Sequence, residues 1–204
     1  MAQHGFYFNG QRCTGCKTCM LACKDCKDLN SGISYRNVYE CGGGSWTKSD
    51  DGTWSNTVFA YPLSIACNHC DSPKCFAACS QGAIAKDEET GLVYIDQEKC
   101  IGCGACAEAC PYHEPKLNEE TGKYEKCDGC RERVAAGMKP VCVEACPLRA
   151  LDFGPIDELR SAHGDVAAVS PLPDPSETNP NLVITPSDKA GSADAEVLNG
   201  REIA

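Results

Sequence analysis

Eighteen cysteines stand in a chain of 204 residues, and their spacing constrains the fold more than any other feature. They sort into four groups. Group one is Cys13, Cys16, Cys19 and Cys23, the pattern C-x2-C-x2-C-x3-C. Group two is Cys67, Cys70, Cys75 and Cys79, with a longer middle gap. Group three, Cys100, Cys103, Cys106 and Cys110, repeats the spacing of group one and is followed by Pro111. Group four is Cys127 and Cys130, then after a loop Cys142 and Cys146, followed by Pro147. Every group ends in C-x3-C. Cys26 and Cys41 are left over.

Three chemistries use cysteine at this density. A disulfide framework suits a short secreted chain. This chain is longer, and its start, MAQHGFYFNGQRC, has no apolar core of a signal peptide. Zinc prefers paired C-x2-C knuckles separated by loops. Group four fits that description alone, whereas groups one and three do not. Three cysteines at successive three-residue spacing form a loop that wraps an iron–sulfur cube. The run C-x2-C-x2-C-x3-C-P is the bacterial ferredoxin pattern, in which three thiolates serve one [4Fe–4S] cluster and the fourth reaches a second. Such motifs come in pairs, and four of them in order make two modules. No ligand position in the 16 motif cysteines is substituted, which predicts four complete [4Fe–4S] clusters.

Composition agrees. Without its cysteines the apolar fraction falls from 42% to about a third, thin for a core of this size. Metal binding can supply the missing folding free energy. The net charge of −10 disfavours nucleic acid and anionic membrane surfaces as partners. No run approaches the length of a membrane span. No dinucleotide fingerprint is present, and His69 inside CNHC does not make a Rieske centre, which needs two histidines. A packing role is expected for it. Lys17, Lys24, Lys74, Lys126 and Arg131 lie in or beside the motifs, as solvated surface or as charges that offset a cluster.

Between the groups lie turn signals. Lys86 to Cys100 has polar turn residues at Glu88 to Gly91 and an apolar run Leu92 to Ile95, and Leu117 to Cys127 repeats its EETG turn. These predict hairpins. The C-x3-C segments predict short helices, with Ser72 and Pro73 as N-cap and first residue of one. Pro140 opens another, and Gly137 closes the one before it. Asn30 to Ala66 predicts a hairpin insertion with the Gly42–Gly44 run at its tip. RALDFGPIDELRSAHG predicts a strand and then a helix between Pro155 and Gly164. From Pro171 the chain reads as irregular.

The fold class expected is α+β: two pseudo-symmetric ferredoxin-like modules with short helices and β-hairpins, then a strand–helix unit and an extended tail. Residues 1–30 with 111–170 would form the first module, 31–66 the insertion, 67–110 the second module, and 171–204 an irregular, partner-wrapping tail.

CTGCKTCMLACKD, SIACNHCDSPKC, KCDGC and CPLRALDFGPIDELR together resemble the four-cluster iron–sulfur subunits of molybdopterin oxidoreductases. The likeness is greatest to the iron–sulfur subunit family of anaerobic dimethyl sulfoxide reductase, over residues 5 to 185. That resemblance implies cross-paired ligand sets. Cluster 1 takes Cys13, Cys16, Cys19 and Cys146, and cluster 2 takes Cys67, Cys70, Cys75 and Cys110. Cluster 3 takes Cys100, Cys103, Cys106 and Cys79, and cluster 4 takes Cys127, Cys130, Cys142 and Cys23. It also implies a non-catalytic electron carrier with no substrate site. The partners implied are a molybdopterin catalytic subunit and a membrane anchor that oxidises menaquinol. The implied place is peripheral on the cytoplasmic membrane, on its outer face after export carried by the catalytic subunit's twin-arginine signal. The related nitrate reductase subunit has tryptophan where Cys103 stands here. The sisters handling thiosulfate, polysulfide or tetrathionate share the cluster motifs, and a free-standing polyferredoxin is the alternative from another class. Ser80 after Cys79, where proline is usual, is a departure from the pattern.

Overall fold

A computed structural model describes residues 2–191 and 195–203. Residues 1, 192–194 and 204, which fall in the expected first module and tail, lie outside the described residues. In chain order, strand β1 (His4–Asn9) is followed by helix α1 (Thr18–Cys26), strand β2 (Arg36–Gly43), the short strands β3 (Trp46–Lys48) and β4 (Trp54–Asn56), and β5 (Phe59–Ala66). Helix α2 (Lys74–Ala78), strands β6 (Ile84–Lys86) and β7 (Val93–Ile95), helix α3 (Ala105–Ala109) and strands β8 (Lys116–Asn118) and β9 (Lys123–Glu125) come next. The remainder is α4 (Arg131–Ala135), α5 (Val141–Glu144), β10 (Leu151–Pro155), α6 (Ile156–His163), β11 (Leu182–Thr185), β12 (Glu196–Val197) and α7 (Gly200–Ile203).

Two three-stranded sheets hold the core. In one, β1 runs between β10, antiparallel, and β11, parallel. In the other, β2 runs between β5 and β12. Side chains on a strand alternate between faces, and β1 uses both. Phe6 and Phe8 join Val38, Leu63 and Ile65 of the second sheet in the main core. Tyr7 points the other way, to Ile156 and Leu159 of α6. Strand β11 alternates in the same sense: Leu182 and Ile184 enter the main core and Val183 meets α6.

The two EETG hairpins form as expected, each from a polar cap at the end of its first strand. Asp87 Oδ1 accepts the amides of Glu89 and Thr90 at 3.1 and 2.9 Å. Asn118 Oδ1 accepts those of Glu120 and Thr121 at 3.0 and 3.3 Å. Helix α4 ends as its glycine predicts. Gly137 has φ 75° and donates to the Val134 carbonyl, while Met138 donates to that of Arg133, both at 2.9 Å. That is the paired bonding of a Schellman end.

Three expectations need correction. Pro73 is the N-cap of α2 and not its first helical residue, and it makes no side-chain cap. Ser72 is drawn away because its amide donates to the Thr178 carbonyl at 3.0 Å. Gly42 and Gly43 belong to β2, and the insertion turns later, where the Gly52 amide donates to the Ser49 carbonyl. These glycines serve close approach: a Cβ on Gly44 would lie 2.3 Å from the Thr57 carbonyl oxygen. Finally, the stretch after Pro171 is not irregular throughout. LVIT at 182–185 is a β-branched run that prolines and polar residues surround, and pairing with β1 buries its Leu182, Val183 and Ile184.

Candidate metal centres

In the first C-x2-C pair of each group, the residue just before the second cysteine has a positive φ. The values are 71° at Gly15, 45° at His69, 72° at Gly102 and 71° at Gly129. Left-handed residues turn successive amides into a concavity that suits anionic sulfur. Three of the four are glycine, which adopts this region freely. His69 is the exception, and its side chain shows why. It is fully buried, and its Nδ1 accepts the Val93 amide at 3.0 Å. Nε2 therefore carries the proton, and it lies 4.0 Å from Cys127 Sγ. Burial and the nearby Lys126 hold this imidazole well below its ordinary range. His69 thus ties the group-two loop to hairpin β6–β7 and faces the group-four loop.

Three enclosures follow from these loops, each opening about 340 Å³ unfilled by protein atoms. Cys13, Cys16, Cys19 and Cys146 line one. Cys79, Cys100, Cys103 and Cys106 line another. Cys67, Cys70, Cys75 and Cys110 line the third. Cys23, Cys127, Cys130 and Cys142 are mutual neighbours elsewhere. Helix α1 packs on α5 and α2 on α3, which brings cysteines from distant groups together. Among the described residues, no three His, Cys, Asp or Glu side chains are placed to hold a single metal ion. The thiols are instead spread around voids that fit a larger group.

The electrostatics fit an iron–sulfur cube in these voids. Burial pushes the thiols of Cys13 and Cys75 up to about 11, and those of Cys23, Cys70 and Cys110 up to about 12. Protein alone therefore keeps them neutral, and only a strongly positive metal core would draw off their protons. Cys16 is held low by the Thr18 hydroxyl, 3.3 Å from its sulfur. Amides already point at several sulfurs: Ala83 at Cys79, Gly129 at Cys127 and Ala150 at Cys146, at 3.3, 3.4 and 3.3 Å.

Buried charges were not all legible. Lys126 is enclosed, with Nζ donating to the Val93 and Cys127 carbonyls and lying 3.4 Å from Cys67 Sγ. Lys17 pairs instead with Glu40 at 2.7 Å and with Glu202. Arg131 stacks over Tyr94, 3.6 Å from the ring centroid, and pairs with Asp87. Sequence reading missed Arg36, which is 2% exposed. Its one signal is a lone arginine in the otherwise strand-like YRNVYEC. Glu114 was missed too. It lines the enclosure of Cys67 and Cys110, its carboxylate oxygens have no hydrogen bond, and burial pushes its carboxyl up to about 7. Cys41 is buried in β2 and packs with Tyr61 and Leu63, whereas Cys26 is exposed at the end of α1.

Ferredoxin-type loops that present thiols in sets of four around apolar voids define a [4Fe–4S] protein, and residues 58–156 match the 4Fe-4S dicluster domain family. Over its length, this protein belongs to the family of the B subunit of anaerobic dimethyl sulfoxide reductase. It is 54% identical to that subunit of Escherichia coli (strain K12) over 204 residues, 98% of each protein. It is 50% identical to the corresponding subunit of Haemophilus influenzae over 206 residues and the whole of both. The thiosulfate reductase electron transfer subunit of Salmonella typhi is 37% identical over 76% of this protein and 78% of its own length. Among the described residues no helix is long and apolar enough to cross a membrane.

Proposed function

We propose that this protein carries electrons through four [4Fe–4S] clusters, from a menaquinol-oxidising membrane anchor to a molybdopterin catalytic subunit that reduces dimethyl sulfoxide or other S- and N-oxides. The observation that carries the reading is full-length kinship with the B subunit of dimethyl sulfoxide reductase together with three enclosures, each lined by four cysteines. The ligand sets are Cys13, Cys16, Cys19 and Cys146; Cys67, Cys70, Cys75 and Cys110; Cys100, Cys103, Cys106 and Cys79; and Cys127, Cys130, Cys142 and Cys23. When bound, each cluster takes up and gives back one electron.

The protein's own residues do the rest. Thiolates hold the irons, amides from Ala83, Gly129 and Ala150 donate to sulfur, and apolar side chains such as Val93 and Ile95 exclude water. Hydrogen bonds to sulfur and solvent exposure set cluster potentials. Two modules, 1–30 with 111–170 and 67–110, would each carry two clusters, with 31–66 as the insertion between them. Cys16 and Cys103, the exposed members of their sets, suit electron exchange with partners at the surface. The protein would bind no substrate itself and would sit peripherally on the outer face of the cytoplasmic membrane.

Iron analysis and gel filtration test this reading. Four cubes predict about sixteen irons per polypeptide, and native extract should carry the protein in a larger complex. A colourless, zinc-loaded protein would end the cluster reading, and elution at the mass of this polypeptide alone would end the complex.

A further inference from the structure

Two cations are fully enclosed in this acidic protein, and among the described residues they are the only buried ones: Arg36 and Lys126. Each stands where two of the proposed ligand sets abut. Arg36 has Cys19 of one set and Cys127 and Cys142 of another as charge-bearing neighbours. Its Nη1 donates to Ser64 Oγ at 3.2 Å, and Ser64 Oγ lies 3.4 Å from Cys19 Sγ. Since that hydroxyl accepts from Arg36, its own hydrogen is free for the sulfur. Lys126 has Cys67 and Cys75 on one side and Cys127 on the other. The set of Cys79, Cys100, Cys103 and Cys106 has no such neighbour among the described residues.

We propose that Arg36 and Lys126 are fixed positive charges at the two junctions of the relay, each raising the reduction potentials of the clusters on both of its sides. The inference rests on the ligand sets proposed above.

A role in packing alone leaves Arg36 unexplained. Its Nη1 bonds are to Ser64, its Nε and Nη2 have no nitrogen or oxygen partner, and the groups that favour its charge are the sulfurs of Cys142, Cys19 and Cys127. A buried charge without a paired counterion is costly. Its planar face does lie over Phe6, 4.7 Å from the ring centroid, but an aromatic ring is a weak counterion. Four thiolates around an iron–sulfur core leave a site negative, and more so once it has taken an electron. A nearby cation in a low-dielectric interior then favours the reduced form. One charge shared by two sites moves both in the same direction, so neighbouring potentials stay matched while the pair rises.

Redox titration of the assembled complex, followed by EPR, tests this. The signals are assigned beforehand with Cys13→Ser, Cys67→Ser, Cys100→Ser and Cys130→Ser. Arg36→Met should make the Cys13 and Cys130 clusters at least tenfold harder to reduce, which is 59 mV for a one-electron couple. Arg36→Lys, which keeps the charge, should recover most of the shift. Ser64→Ala should move the Cys13 cluster alone. Lys126→Met should lower the Cys67 and Cys130 clusters, and the Cys100 cluster should hold its potential throughout. Unmoved potentials at full iron content would overturn the proposal. So would a Lys substitution as damaging as Met, or a shift at the Cys100 cluster. If Arg36→Met loses its iron, Ser64→Ala and Lys126→Met decide, and the proposal fails if neither moves a potential. A wild-type protein without iron would instead refute the ligand sets.

Discussion

Asn181 Nδ2 donates to the His69 carbonyl at 2.9 Å, across 112 positions of sequence. The Asn181 amide also donates to the Asn68 carbonyl at 3.0 Å, and its own carbonyl accepts the Phe6 amide. One tail residue therefore joins β1 to the loop bearing Cys67 and Cys70. Asn181→Ala leaves the buried His69 carbonyl without its donor, at a cost of about 1–3 kcal/mol. The denaturant midpoint for loss of cluster absorbance should fall accordingly, and an unchanged midpoint would remove the tail from the support of this loop.

Cys146→Ser and Cys13→Ser should disturb the same EPR signal despite their separation, because both residues line one enclosure. Two different signals would show that the cross-paired ligand sets are wrong.

Gly102 and Gly122 share a positive φ but not their surroundings. A Cβ on Gly102 would lie 2.0 Å from the Gly122 carbonyl oxygen, whereas a Cβ on Gly122 meets nothing within 4 Å. Gly102→Ala should therefore displace the β8–β9 turn and reduce iron at the Cys100 set. Gly122→Ala should cost only about 1–2 kcal/mol of left-handed strain and keep its iron. Equal iron content in the two variants would contradict this difference.

Reconstitution should depend on pH. Burial favours the neutral thiol at Cys13, Cys23, Cys70, Cys75 and Cys110, with values of about 11 to 12. Below that range each of these ligands must lose a proton to bind iron, so apparent iron affinity rises with pH. Chelator stripping should be faster near pH ~6.5 than near pH ~8.5, and proton release on loading, followed in weak buffer, should confirm the sign.

Neither leftover cysteine should affect iron content. Cys26 is exposed, so Cys26→Ser should change stability by less than about 0.5 kcal/mol. Cys41 is 1% exposed in the main core, and Cys41→Ala should destabilise by about 0.5–3 kcal/mol. Iron per polypeptide, measured beside a thermal melt, separates packing from ligation.

The cysteine loops, both EETG hairpins and the strand–helix at 151–163 could be read from sequence because each is built by neighbours. Turn residues, caps and C-x2-C spacing act within a few positions. Strand β1 and strand β11 could not, since six and four residues show no period of their own. Their identity depends on partners more than a hundred residues away. Arg36 and Glu114 were hidden for a different reason. Charged residues are normally exposed, and only the enclosing fold reveals that these two are not. Lys126 was noticed for its place beside Cys127, yet nothing in EKCDGC separates it from a surface lysine.

The central position of β1 bears on how the protein matures. It leaves the ribosome before its parallel neighbour β11, with most of the cysteine loops translated in between. Until residue 185 is out, β1 has one open edge, and the loop at 67–70 lacks the brace of Asn181. Pairing of such distant segments is slow. Iron delivered before β11 has emerged would meet loops that are not yet braced, so cluster insertion is best timed to follow the docking of β11 and Asn181.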